Sequence, residues 1–214
     1  MRTLTIFTAR QRRCKMNLPN KLTLARLILI PFFIAAFYLG FFMGHYFVAL
    51  GIFVIASITD FFDGYIARKY NMITDLGKFL DPIADKVLVL SGLIVLISDP
   101  YETNVFAQIG TIGMIYGGIG VSIIMAREMV VSSLRMMAAK KGVVLAAEMT
   151  GKVKTFFTDV TIIILLLTGD LLNFAPSVGI IFDYIGLACF GISVLLTVYS
   201  GISYLIKNKE VFKG

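Results

Sequence analysis

Long apolar stretches separated by short polar ones dominate the chain. They cover residues 22–42, 46–62, 79–97, 105–125, 153–172 and 180–206, each close to the roughly 20 residues a helix needs to cross a hydrocarbon core about 30 Å thick. The pattern predicts six transmembrane helices, the last long enough to tilt or to emerge from the bilayer. The breaks carry turn-forming residues: Gly40 and Gly44 after the first stretch, Asp99-Pro100 after the third, and Asn173 to Pro176 after the fifth. The expected fold class is therefore all-α, a polytopic membrane protein.

Composition agrees and narrows the choice. Of 214 residues 58% are hydrophobic and only 15% charged, with a mean hydropathy of +0.87, which excludes an ordinary soluble domain. Six spans leave no room for a large extramembrane domain, so any chemistry must be built on the helices and their short connections. Cys14 and Cys189 imply no disulfide framework. Residues 1–15 carry Arg2, Arg10, Arg12, Arg13 and Lys15 without the apolar core of a signal peptide. They read as a basic N-terminal extension ahead of a membrane domain at 16–214, and Met16 is an alternative start.

Lysine and arginine set the orientation. None of the 20 basic residues falls in the connections at 43–46, 98–104 and 170–179. They collect in the N-terminal region through Arg26, around Arg68, Lys69, Lys78 and Lys86, between Arg127 and Lys154, and at Lys207, Lys209 and Lys213. The positive-inside rule then places both termini and both long connections in the cytoplasm, as an even number of crossings requires. The expected location is the plasma membrane of a bacterial cell. The net charge of +7 suits contact with anionic membrane lipids, and no nucleic-acid partner is expected.

The informative feature is acidic. Asp60, Asp63, Asp81 and Asp85 lie at the cytoplasmic ends of the second and third stretches. Spacings of three and four put each pair on one helix face, so two neighbouring helices can present four carboxylates to one polar cavity at the cytoplasmic side. Crowded there, the acids repel one another and are costly to desolvate. All-oxygen donors favour hard divalent cations such as Mg2+ or Mn2+, and two such ions balance four negative charges. A purely structural alternative pairs the acids with Arg68, Lys69, Lys78 and Lys86; a divalent-cation transporter is a functional one.

The spacing Asp60-x-x-Asp63-Gly64-x-x-Ala67-Arg68, then Gly77-x-x-x-Asp81-x-x-x-Asp85, resembles at every defined position the signature of the CDP-alcohol phosphatidyltransferase family. The resemblance implies a two-metal phosphotransferase in which Asp60, Asp63, Asp81 and Asp85 bind the ions and Asp85 also acts as the general base. It further implies that Gly64, Ala67 and Arg68 line the CDP-lipid pocket, with Thr74 as another contact. Pro19-Asn20-Lys21-Leu22-Thr23 is similar to the family's entry into its first helix, where Asn20 and Thr23 face the nucleotide; plain helix capping is the competing reading of this stretch. A homodimer is implied as well.

The acceptor alcohol is addressed by a second cluster. Arg127-Glu128, Arg135, Gly142-Val143-Val144, Ala147 and Gly151-Lys152-Val153-Lys154-Thr155 resemble the branch of the family that uses sn-glycerol 3-phosphate. An acceptor with its own phosphate needs such cations, and Arg127, Arg135, Lys152 and Lys154 are the candidates, with Glu128 orienting an arginine. An inositol phosphate acceptor suits the same charges, and phosphatidylglycerol is a third possibility. Gly110, Gly113, Gly117 and Gly120 mark close helix packing, within a subunit or between two.

Overall fold

A computed structural model describes residues 18–40, 43–69, 75–99, 103, 105–140 and 149–208; the side chains of 18, 19, 61, 63–69, 75, 76, 78, 79, 81, 82, 107, 139 and 140 lie outside that description. The described residues are helical throughout, apart from turns: α1 Leu18–Leu39, α2 His45–Lys69, α3 Asp75–Ile97, the single turn α4 Val105–Gln108, α5 Thr111–Lys140, α6 Met149–Phe174 and α7 Pro176–Lys207. Five of the predicted stretches each fall on one long helix, whereas 105–125 is broken at residues 109–110 into α4 and the start of α5, and several helices outrun the apolar runs. α2 continues past residue 62, α3 starts before 79, α5 continues past 125 and α6 starts before 153. Hydrophobicity reports where lipid is, whereas the backbone keeps its own hydrogen bonds until a turn residue or a lost partner stops it.

Among the described residues four helices are long and apolar enough to cross a membrane, namely Asn20–Leu39, Thr111–Ala138, Met149–Phe174 and Pro176–Lys207, and His45–Asp60 is a shorter apolar helix. Their surfaces are inverted relative to a soluble bundle. Ile28, Phe32, Ile115, Tyr116, Phe156 and Leu195 point outward, while Thr23, Arg26, Thr161, Ser193, Thr197 and Ser200 are buried. Apolar outside and polar inside is the arrangement a hydrocarbon solvent selects.

Helix α6 makes its most extensive contact with α7, and α1 lies along α2 and α3. The core between them is built from Phe33, Phe37, Phe53, Leu93, Leu96, Ile162, Leu165 and Leu166. Small residues let the helices close up. A Cβ on Gly120 would come within 2.6 Å of the Phe190 ring, and one on Gly117 within 3.1 Å of Ile97 and Phe106. The glycine stripe of α5 thus packs inside this chain. Gly110, at φ +71°, makes the left-handed joint between α4 and α5 that other residues adopt only with strain.

The end of the bundle where α2 begins and α3 stops is fastened by three buried carboxylates. Asp170 of α6 accepts hydrogen bonds from the backbone N–H of Gly44 (3.0 Å) and Phe47 (2.7 Å) at the start of α2, acting as a helix cap supplied from another helix. Asp99 accepts from the Tyr46 hydroxyl at 2.8 Å and from the Thr103 N–H at 3.0 Å. Asp183 accepts from the Thr168 hydroxyl at 2.8 Å and the Gln108 amide at 3.2 Å. His45 lies against Tyr46, ring centroids 4.1 Å apart, within this network.

Candidate active site

The opposite end holds the acidic cluster, about 20 Å away along α3 at 1.5 Å per residue. Three helices converge there. On α1 a polar stripe at three-residue spacing, Asn20, Thr23 and Arg26, faces inward and is almost completely buried. On α2, Asp60 meets this stripe: its Oδ1 lies 2.5 Å from Nη1 of Arg26, and its side chain keeps 39% of its surface exposed. On α3, the half-buried Asp85 opens onto a cleft.

Asp63, Gly64, Ala67 and Arg68 belong to α2 and Asp81 to α3, but their side chains lie outside the described residues, and Thr74 lies outside them altogether. The helical backbone nevertheless keeps each acidic pair on one face, since both intervals, 60 to 63 and 81 to 85, are continuous helix. Among the described residues no group of three or more His, Cys, Asp or Glu stands together as a metal cage. The described donors, Asp60 and Asp85, supply only oxygen and come from two helices, and the accessible carboxylate of Asp60 suits a hard divalent ion.

Helices α3, α5 and α6 form the cleft wall, with Asp85 and Lys86 from the first, Glu128 from the second, and Lys154, Thr155 and Thr158 from the third. Lys154 is 3% exposed and donates to Oε1 of Glu128. Arg127 donates to the same oxygen through Nη1 at 3.0 Å and to the Ser200 hydroxyl of α7 through Nη2 at 3.0 Å. Glu128 therefore holds two cations, one of them in the cleft wall. Arg135, two turns further along α5, donates to the Tyr204 hydroxyl at 3.3 Å and lies 5.6 Å from that ring's centroid. Lys152 is exposed. Of the four cations expected near the acceptor, Lys154 lines the cleft, Arg127 stands behind it, Arg135 is turned to α7, and Lys152 faces outward.

Three neighbours receive no role in the active site from the sequence. Arg26 reads there as ordinary cytoplasmic-side charge, yet it is fully buried. Lys86 reads as a surface pairing base, yet it lines the cleft and donates to the Ser132 hydroxyl. Asp159 of α6 lies within electrostatic reach of Asp85, Asp60 and Lys154, and its buried Oδ1 has no hydrogen-bond partner among the described residues. An acid inside an apolar helix was the available signal for Asp159. The cleft lining carries two cations, Lys86 and Lys154, beside two acids, Asp85 and Glu128, so it offers an anionic group such as a phosphate a cationic partner.

This chain belongs to the CDP-alcohol phosphatidyltransferase family, whose sequence pattern matches residues 16–199, a family that generally uses divalent cations. Among curated proteins it is similar to the CDP-diacylglycerol–glycerol-3-phosphate 3-phosphatidyltransferase of Rickettsia felis, 40% identical over 201 residues, covering 94% of this chain and 99% of that protein. The protein of the same name from Bacillus subtilis is 37% identical over 208 residues, covering 92% and 97%. The one from Salmonella typhimurium is 38% identical over 191 residues, covering 88% and 93%.

Proposed function

We propose that this protein transfers the phosphatidyl group of CDP-diacylglycerol to sn-glycerol 3-phosphate, giving phosphatidylglycerophosphate and CMP. The observation that carries this reading is the shared cleft of Asp85 and Lys154: a carboxylate able to take a proton and a cation able to hold a phosphate sit where one small acceptor reaches both. Three relatives that cover nearly the whole chain bear the name of this reaction, which favours glycerol 3-phosphate over an inositol phosphate.

In the proposed mechanism Asp60, Asp63, Asp81 and Asp85 hold two divalent ions, Mg2+ or Mn2+. Such ions neutralise the diphosphate and steady the leaving oxygen in an in-line displacement. Asp85 takes the proton of the acceptor hydroxyl as its oxygen attacks the phosphorus of the phosphatidyl group. The bond from that phosphorus to the bridging oxygen breaks, and CMP departs with the electron pair. Asn20, Thr23, Gly64, Ala67, Arg68 and Thr74 bind the CDP end of the donor. Lys154 holds the acceptor phosphate with Lys86, Arg127 supports it through Glu128, and Arg135 and Lys152 draw the anion toward the cleft.

The same reading makes 16–214 a membrane domain of six transmembrane helices behind a basic extension at 1–15. It places both termini and the catalytic cavity at the cytoplasmic face of a bacterial plasma membrane, and the protein works as a homodimer. The test is purified protein in detergent with CDP-diacylglycerol, radiolabelled glycerol 3-phosphate and Mg2+ or Mn2+. A metal-dependent labelled lipid, undiminished by excess inositol phosphate or phosphatidylglycerol, is expected; no labelled lipid with either metal refutes the reading.

A further inference from the structure

A fully buried arginine inside an apolar helix needs a reason, because it is costly to place and its charge cannot be removed by deprotonation. Arg26 meets Asp60 of α2 at 2.5 Å, and its charge also acts on Asp85 of α3. One guanidinium from α1 thus serves acids on both helices of the cluster. Asp60 is the exposed partner, at 39% against 0% for Arg26, so the pair is approached from the Asp60 side only. Any cation that binds Asp60 must share that carboxylate with a fixed positive charge.

We propose that Arg26 is a positioning residue that competes with divalent ions for Asp60 and so lowers the affinity of the carboxylate cluster for metal until a diphosphate arrives. The inference rests on the two-metal reading above. Its physical basis is that like charges a few ångströms apart in a partly desolvated site repel strongly. The guanidinium therefore weakens ion binding in the substrate-free site, and the negative charges of a CDP-linked donor offset that repulsion. Metal and donor binding become coupled through one side chain that need touch neither. The pairing also holds the Asp60 rotamer ready.

The experiment is a Mn2+ titration of metal-stripped protein in detergent, followed by the electron paramagnetic resonance signal of free Mn2+, with and without CDP. Arg26→Gln removes the charge and is expected to bind Mn2+ about tenfold more tightly without CDP, with the enhancement by CDP correspondingly reduced. Arg26→Lys keeps a charge on a shorter stem that withdraws from Asp60, and about threefold tighter binding is expected. A merely structural arginine predicts the opposite, since a disturbed site binds metal more weakly. Unchanged or weaker binding in whichever of the two variants folds overturns the proposal. Asp85→Asn in the same titration separates the two readings: if it leaves Mn2+ binding of the otherwise intact protein unchanged, the two-metal reading itself fails.

Discussion

Replacing Lys154 by Met removes one charge from the cleft while keeping a side chain of similar length. Lys154 is buried, and its ammonium group sits on Glu128 in the cleft that Asp85 shares. The carboxylate is not orphaned by the change, because Arg127 still donates to Oε1 at 3.0 Å, so the local fold is expected to hold. What is lost is a charge-assisted hydrogen bond to the acceptor phosphate, worth about 1.5–3 kcal/mol. At about 1.4 kcal/mol per decade, KM for glycerol 3-phosphate should rise roughly 10- to 150-fold. The KM for CDP-diacylglycerol should stay within about twofold, because the donor is bound by other residues. Initial rates measured over both substrates decide the matter. An acceptor KM that moves less than about threefold, or a rise confined to the donor KM, would refute the assignment of Lys154 to the acceptor. Lys152→Met, on an exposed residue, is the matched control and should change the acceptor KM less than Lys154→Met does.

Asp85→Asn should reduce turnover at least about 100-fold, the usual contribution of a general base, while the metal-free protein melts no lower than the wild type by differential scanning fluorimetry. Asp170→Ala removes both backbone hydrogen bonds to the start of α2 and should cost about 1–3 kcal/mol, read as a lowered melting temperature in detergent that added Mg2+ does not restore. Gly169→Val should destabilise by about 1–3 kcal/mol, because its Cβ would stand 2.5 Å from the Tyr46 ring. Gly118→Ala, with nothing within 4 Å, should stay within about 0.5 kcal/mol.

The helices were legible because lipid imposes a simple rule on side chains, and five of the six apolar stretches correspond to one long helix each; the stretch 105–125 hid the break at Gly110 because its apolar character runs through the joint. Their ends were not, since the segments beyond residues 62 and 125 continue as helix with charged residues among them. The motif from Asp60 to Asp85 was legible because its spacing is dense in residues that a membrane interior penalises. Arg26 was hidden for the opposite reason: a single base near the end of a span looks like an orientation signal, and only the packing of α1 against α2 and α3 turns it inward. Asp99, Asp170 and Asp183 escaped a role because each has a partner distant in sequence: Tyr46, Gly44 and Gln108 respectively. Gly44, which Asp170 caps, is separated from it by 126 residues.

The three-carboxylate network also divides the molecule mechanically. Side-chain oxygens from α6 and α7 and from the stretch after α3 tie down the start of α2, the turn at 103 and the short helix α4, so at that pole the helices are sewn together. At the other pole, α2 meets α1 through a charge contact that opposing ions can loosen. Breathing of the bundle is therefore expected to pivot about the stitched pole and to part α1 from α2 at the other.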